Sequence, residues 1–201
     1  MYVDIFSLTL RYFFLFTPFF ALMMFLYLTK NFDEERRKKD ATKIMITSFV
    51  VCVIMIFLGS QIFSILGITV NAFRVGVGTI LLLDGIGLVK GRVSAPKNED
   101  KEQEIVLVPM TIPIIIGPAM IGTLLVAGTD TAGSIEQRLV HIIALLVTSV
   151  LVWLLLYLSV SIEKSFGKKR IIVLSKITGI YLAALASQMI MQGISEQFFL
   201  K

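Results

Sequence analysis

The sequence predicts an all-α integral membrane protein of six transmembrane helices, built as two inverted three-helix repeats, with helices 1 and 4 broken by proline. Three observations carry this expectation. With 56% hydrophobic residues and a mean hydropathy of +0.87, the 201-residue chain is too apolar for a soluble domain. Its apolar residues fall in six runs, about 6–29, 44–66, 69–90, 105–127, 139–162 and 171–194, each near the ~20 residues that cross a bilayer as helix. Prolines then recur at matching depth: Thr17-Pro18 midway along the first run and Gly117-Pro118 midway along the fourth, 100 positions later.

The loops give the orientation. Lys and Arg number six in the first loop, none in the second, four in the third, one in the fourth and four in the fifth. Odd loops are basic, so the positive-inside rule puts loops 30–43, 91–104 and 163–170 in the cytoplasm and both termini outside an inner (plasma) membrane. The net charge of +5 thus follows membrane sidedness and lipid headgroups, and nucleic acid is not an expected partner. Short polar joins imply one transmembrane domain over 1–201.

Within it, the first repeat covers about 1–91, a cytoplasmic linker about 92–104 and the second repeat about 105–196. Phe73–Gly91 aligns without gaps on Ser175–Gly193, pairing Arg74 with Lys176 and Gly91 with Gly193. Three crossings before the linker make the second unit enter from the opposite side, so the repeat is inverted by parity alone.

In the first loop, Asn31 stands three residues before Glu34, an expected cap, and Glu34/Lys38 and Glu35/Lys39 sit at helical spacing. A cytoplasmic extension of helix 2 follows. Helix 2 also carries the single cysteine, Cys52, expected as a small core or lipid-facing residue.

The fourth run, VPMTIPIIIGPAMIGT, holds Pro109, Pro113 and Pro118 within ten residues. An interior proline removes a donor and clashes with the carbonyl four residues back, at ~3 kcal/mol or more. At membrane depth the freed backbone groups are tolerated where protein or a water-filled cavity satisfies them. Pro113 to Pro118 is therefore expected to unwind, with a plain kink as the alternative. The matching depth of Pro18 makes Thr17, Pro18, Thr111, Pro113, Gly117 and Pro118 the expected substrate-binding set.

Arg74 and Lys176 each lie about five residues inside a run, and inversion relates them. Both readings stand: snorkelling or ion-pair anchors, and gating or substrate residues. Asp84 is deeper, a proton-relay candidate or the partner of a basic residue at the cytoplasmic end. Small residues crowd the third and sixth runs, Gly76, Gly78, Gly85 and Gly87 in one and Gly179, Ala183, Ala184, Ala186 and Ser187 in the other, which predicts close helix contact. The lone His141 is read as an interfacial residue. No nucleophile–base pair or metal-ligand spacing appears, so neither an enzyme nor a bound cofactor is expected.

The segments FFLFTPF, GITVNAFRVGVG, LVPMTIPIIIGPAMIGT and ITGIYLAALASQMIMQGI resemble the MarC family of integral inner-membrane proteins over nearly the whole length. The resemblance implies six helices in a family named for a multiple-antibiotic-resistance locus and linked to transport of small neutral amino acids such as glycine and alanine. Many relatives carry Asn-Pro with small or polar residues in the first segment, whereas this chain has Thr17-Pro18-Phe19-Phe20. The resulting expectation is a secondary transporter or exporter of small solutes in the bilayer, with Na+ and H+ both open as coupling ions. A non-transporting structural or stress-related membrane protein is the alternative.

Overall fold

The computed structural model describes residues 5–91 and 110–198, and every regular element among them is helical. The first apolar run is split into α1 (Ile5–Leu15) and α2 (Pro18–Leu28). Thr17 sits between them at φ 46°, the one non-glycine residue with positive φ among those described. The amide of Phe16 still donates to Tyr12 at 2.9 Å, and Ala21 then donates to Thr17 at 2.9 Å, restarting the helix. Pro18 occupies the first helical position, where its missing N–H costs nothing and its fixed φ suits the helix.

α3 (Glu34–Leu66) runs 33 residues, about 50 Å, well past the hydrocarbon thickness. Its excess is the charged extension: Lys38–Glu34 pair at 2.6 Å, Lys39–Glu35 at 3.2 Å and Arg36–Asp40 at 3.9 Å. The cap differs from the expected one. Asp33, not Asn31, precedes the helix, and no side chain caps its amides. Arg37 instead reaches back to the end of α2, donating to the carbonyls of Thr29 at 2.9 Å and Lys30 at 3.0 Å. A cation thereby satisfies the orphan carbonyls of the preceding helix.

Gly67, at φ 62°, ends α3, and α4 (Val70–Lys90) follows, with the Thr69 hydroxyl accepting from the Ala72 amide at 3.2 Å. A π-helical turn (Met110–Ile115) leads, through Ile116 and Gly117, into α5 (Pro118–Asp130), 13 residues long. The bond from Ile116 N–H to Thr111 C=O, 2.8 Å and five residues back, marks the widened turn. The expected unwinding of this run is thus a π turn and a two-residue break. α6 (Ile135–Tyr157) and α7 (Ser159–Phe198) complete the chain, and α7 is interrupted at Gly167, at φ 73°.

Five helical segments among the described residues are long and apolar enough to cross a membrane: Ile5–Leu28, α3, α4, α6 and Lys169–Phe198. The expected fourth crossing, 105–127, is not a continuous sixth such segment. Its described part is the π turn and α5, because Pro113 and Pro118 divide it, while Pro109 and the linker fall outside the described residues.

Burial sorts the elements. The Ile5–Leu28 span is 56% buried over its most apolar window, against 22% for α3. All of α5 from Ala119 to Gly128 is buried except Ile121, which is partly so. α1, α2 and α5 are central, and α3 and α6 present Ile46, Val50, Ile54, Leu146, Val150 and Leu154 outward. An exposed apolar belt of this extent suits lipid and not water. Cys52 is fully buried in the core.

α4 and α7 pack antiparallel through glycine. A Cβ on Gly85 would stand 2.7 Å from the Gly179 carbonyl oxygen, and one on Gly179 would stand 2.6 Å from that of Gly85. Gly78 meets Ala186 and Ile190 in the same seam, and Gly193 meets Asn71. Lipid gives helices no hydrophobic reason to associate, so backbone approach and dispersion carry such a contact.

Candidate functional site

A polar cavity of about 140 Å³ opens among α1, α4, α5, α6 and α7, at the bundle end where α4 begins and α5 and α7 finish. Arg11, Tyr12, Arg74, Asp130, His141 and Gln192 supply its polar lining. The charged α3 extension lies at the other end. The volume admits a solute of only a few heavy atoms.

Arg74, one turn into α4, is 6% exposed. Its Nη2 lies 2.6 Å from Asp130 Oδ2 on α5, while its Nη1 donates to Glu196 on α7 and to Asn71 Oδ1 at 3.2 Å. One guanidinium thus ties three helices. A buried cation is tolerable because two carboxylates compensate it through charge-assisted bonds.

Arg11 is placed differently. It comes from α1 a turn and a half before the Thr17 break, and its Nε is buried without a hydrogen-bond partner among the described residues. Next to it, the Tyr12 hydroxyl lies 2.6 Å from His141 Nδ1, with the two rings 6.0 Å apart. His141 therefore turns toward the bundle and lines the cavity, a contact that its place at the start of the fifth run did not announce. Thr123 forms part of the wall, its hydroxyl donating to Ala119 C=O at 2.8 Å.

The residues singled out from sequence scatter. Of the expected substrate-binding and gating residues, only Arg74 lines this cavity. Thr17, Pro18, Gly117 and Pro118 form the two helix breaks, with Pro18 buried and Pro118 exposed, and Pro113 lies in the π turn. The Thr111 hydroxyl is buried with no partner among the described residues, so it does not bond its own helix backbone. Lys176 is exposed on α7 and Asp84 exposed on α4. The equivalence of Arg74 and Lys176 in sequence does not extend to their surroundings, because Asp130 and Glu196 bury Arg74 whereas Lys176 is exposed.

Arg11, Tyr12, Asp130, Gln192 and Glu196 were not singled out from sequence. A signal existed: with alternating crossings, all five fall toward the ends of runs that meet on one side of the membrane. Among the described residues no group of three His, Cys, Asp or Glu side chains gathers to hold a metal ion.

A family model described as MarC family integral membrane protein matches residues 2–198. The chain belongs to the MarC family. Among curated relatives, it is 30% identical over 184 residues to a UPF0056 membrane protein of Methanocaldococcus jannaschii, covering 88% of this chain and 89% of that one. A UPF0056 membrane protein of Chlamydia trachomatis is 30% identical over 202 residues, covering 97% and 95%. One from Buchnera aphidicola subsp. Schizaphis graminum is 28% identical over 200 residues, covering 97% and 98%. No solved structure matches the chain. Membership in the MarC family makes the exposed apolar belt the lipid-facing surface of a multi-pass integral membrane protein.

Proposed function

We propose that this MarC-family chain is a secondary transporter or exporter of small solutes, small neutral amino acids among them, and not an enzyme. The observation that carries the reading is the polar cavity bounded by α1 and α5, each a half-helix ending or starting at a proline break. Charged residues inside a membrane bundle are costly, and Arg11, Arg74 and Asp130 converge on a space of solute size. Broken helices at the centre of a bundle are how many transporters build a pathway.

In this reading the run 105–127 is a sixth, broken crossing, and the chain is two inverted repeats with both termini outside the inner membrane. The cavity then faces outward. Phe16, Ile115 and Ile116, all fully buried near the breaks, form the closed floor beneath it. Alternating access would open that floor toward the cytoplasm, with Na+ or H+ as coupling ion.

The same apolar packing at the breaks favours a second reading, a non-transporting membrane protein that uses the fold structurally. Uptake of labelled glycine, alanine and serine into proteoliposomes separates the two. Saturable flux, lost in empty vesicles, supports transport. Absence of flux across a broad solute panel, with the protein shown folded, supports the structural alternative.

A further inference from the structure

We infer that Arg11 anchors the carboxylate of a small solute in this cavity, and that the site reads the carboxylate and not the amino group. The inference deepens the proposed function and rests on it only in taking the cavity as a solute site.

The two cavity arginines differ in what already occupies them. Both terminal nitrogens of Arg74 are engaged, by Asn71, Glu196 and Asp130, leaving it little capacity for a ligand. Arg11 lines the same space, and its Nε has no hydrogen-bond acceptor among the described residues. A guanidinium presents its donors as a fork that matches a carboxylate with two parallel bonds. A guanidinium without an internal acceptor gains more from an anion in a partly buried cavity than on an open surface.

The neighbours narrow the ligand class. Asp130, the acidic residue lining the cavity among the described residues, has its Oδ2 bonded to Arg74. Tyr12 and His141 bond each other, so neither presents a free charge to an ammonium group. Five helices line about 140 Å³, a space that acetate or glycine suits. A compact monocarboxylate fits both the charge and the space.

The test is equilibrium binding of labelled acetate and glycine to the purified full chain in phosphatidylcholine nanodiscs. Glycinamide and methylamine serve as competitors, and Arg11→Gln and Arg11→Lys as variants. Acetate and glycine should compete for one site, glycinamide and methylamine should fail to displace them, and Arg11→Gln should weaken binding roughly ten-fold or more. Arg11→Lys, retaining charge without the fork, should fall between. Lys39→Gln, on the exposed α3 extension outside the cavity, should bind as the wild type does.

Displacement by glycinamide as effective as by glycine would overturn the inference on the wild-type protein alone, whatever the folding of the variants. Undiminished binding in Arg11→Gln would overturn it equally. Arg11-dependent carboxylate binding without flux would sustain this assignment while removing the transport reading, and flux of amino acids unaffected at Arg11 would do the reverse.

Discussion

Arg74 on α4 reaches Asp130 on α5 at 2.6 Å, joining residues 56 positions apart at the mouth of the polar cavity. The guanidinium is nearly buried, whereas Asp130 is half in solvent, and Glu196 completes the triad from α7. The pairing therefore fastens the end of a half-helix to the two helices that share the glycine seam.

Arg74→Gln should lower stability by about 1–3 kcal/mol, less than a fully buried pair because Asp130 stays hydrated. Adding Glu196→Gln should cost less than the sum of the two single changes, since both act on one contact. Thermal unfolding of the four proteins in detergent measures this coupling. Strict additivity would mean that the triad is not an energetic unit.

Thr17 holds a left-handed conformation that its β-branched side chain disfavours, at a cost of roughly 1–2 kcal/mol. Asparagine tolerates that region better. Thr17→Asn should therefore raise the unfolding midpoint, by a gain of about 0.5–1 kcal/mol. A lowered midpoint would show that the threonine side chain contributes more than its backbone costs.

Gly85→Ala inserts a methyl group 2.7 Å from the Gly179 carbonyl oxygen, and backbone cannot swing aside as a side chain would. The helices must separate, with an expected loss of about 1–3 kcal/mol. Gly76→Ala, where a Cβ meets nothing within 4 Å, should be neutral or gain up to about 1 kcal/mol from helix propensity. Comparable losses at both sites would contradict the seam.

Sidedness can be read with thiol reagents, because Cys52 is fully buried and leaves a silent background. Gly133→Cys, in the exposed α5–α6 turn, should react with a membrane-impermeant maleimide on intact cells. Lys39→Cys, on the exposed face of the charged α3 extension, should react only after the membrane is opened. The reverse pattern would invert the proposed orientation.

What sequence made legible is local chemistry. Pro18 and Pro118 mark both helix breaks because a missing N–H acts wherever the chain goes. Glu34/Lys38 and Glu35/Lys39 pair because four residues are one turn, and Gly85 and Gly179 announce a close approach because nothing larger fits there. The cavity was not legible as a unit. Arg11 lies in the aromatic stretch RYFFLF, Asp130 reads as a loop residue, and His141 reads as an interface residue until α1 and α6 bring it against Tyr12. Their convergence depends on how five elements pack, which no single periodicity encodes. Arg74 and Lys176 show the converse: spacing relates them, yet carboxylates at one end bury the first while the second remains exposed.

The glycine seam also bears on biosynthesis. α4 reaches the membrane long before the ribosome has made α7, so Gly78 and Gly85 first meet lipid or insertion machinery, and Arg74 enters without Glu196. The half-made protein exposes a bare backbone groove and an under-compensated cation, both of which α7 covers. Closure of the bundle is therefore a late event, which waits for α7 to leave the ribosome.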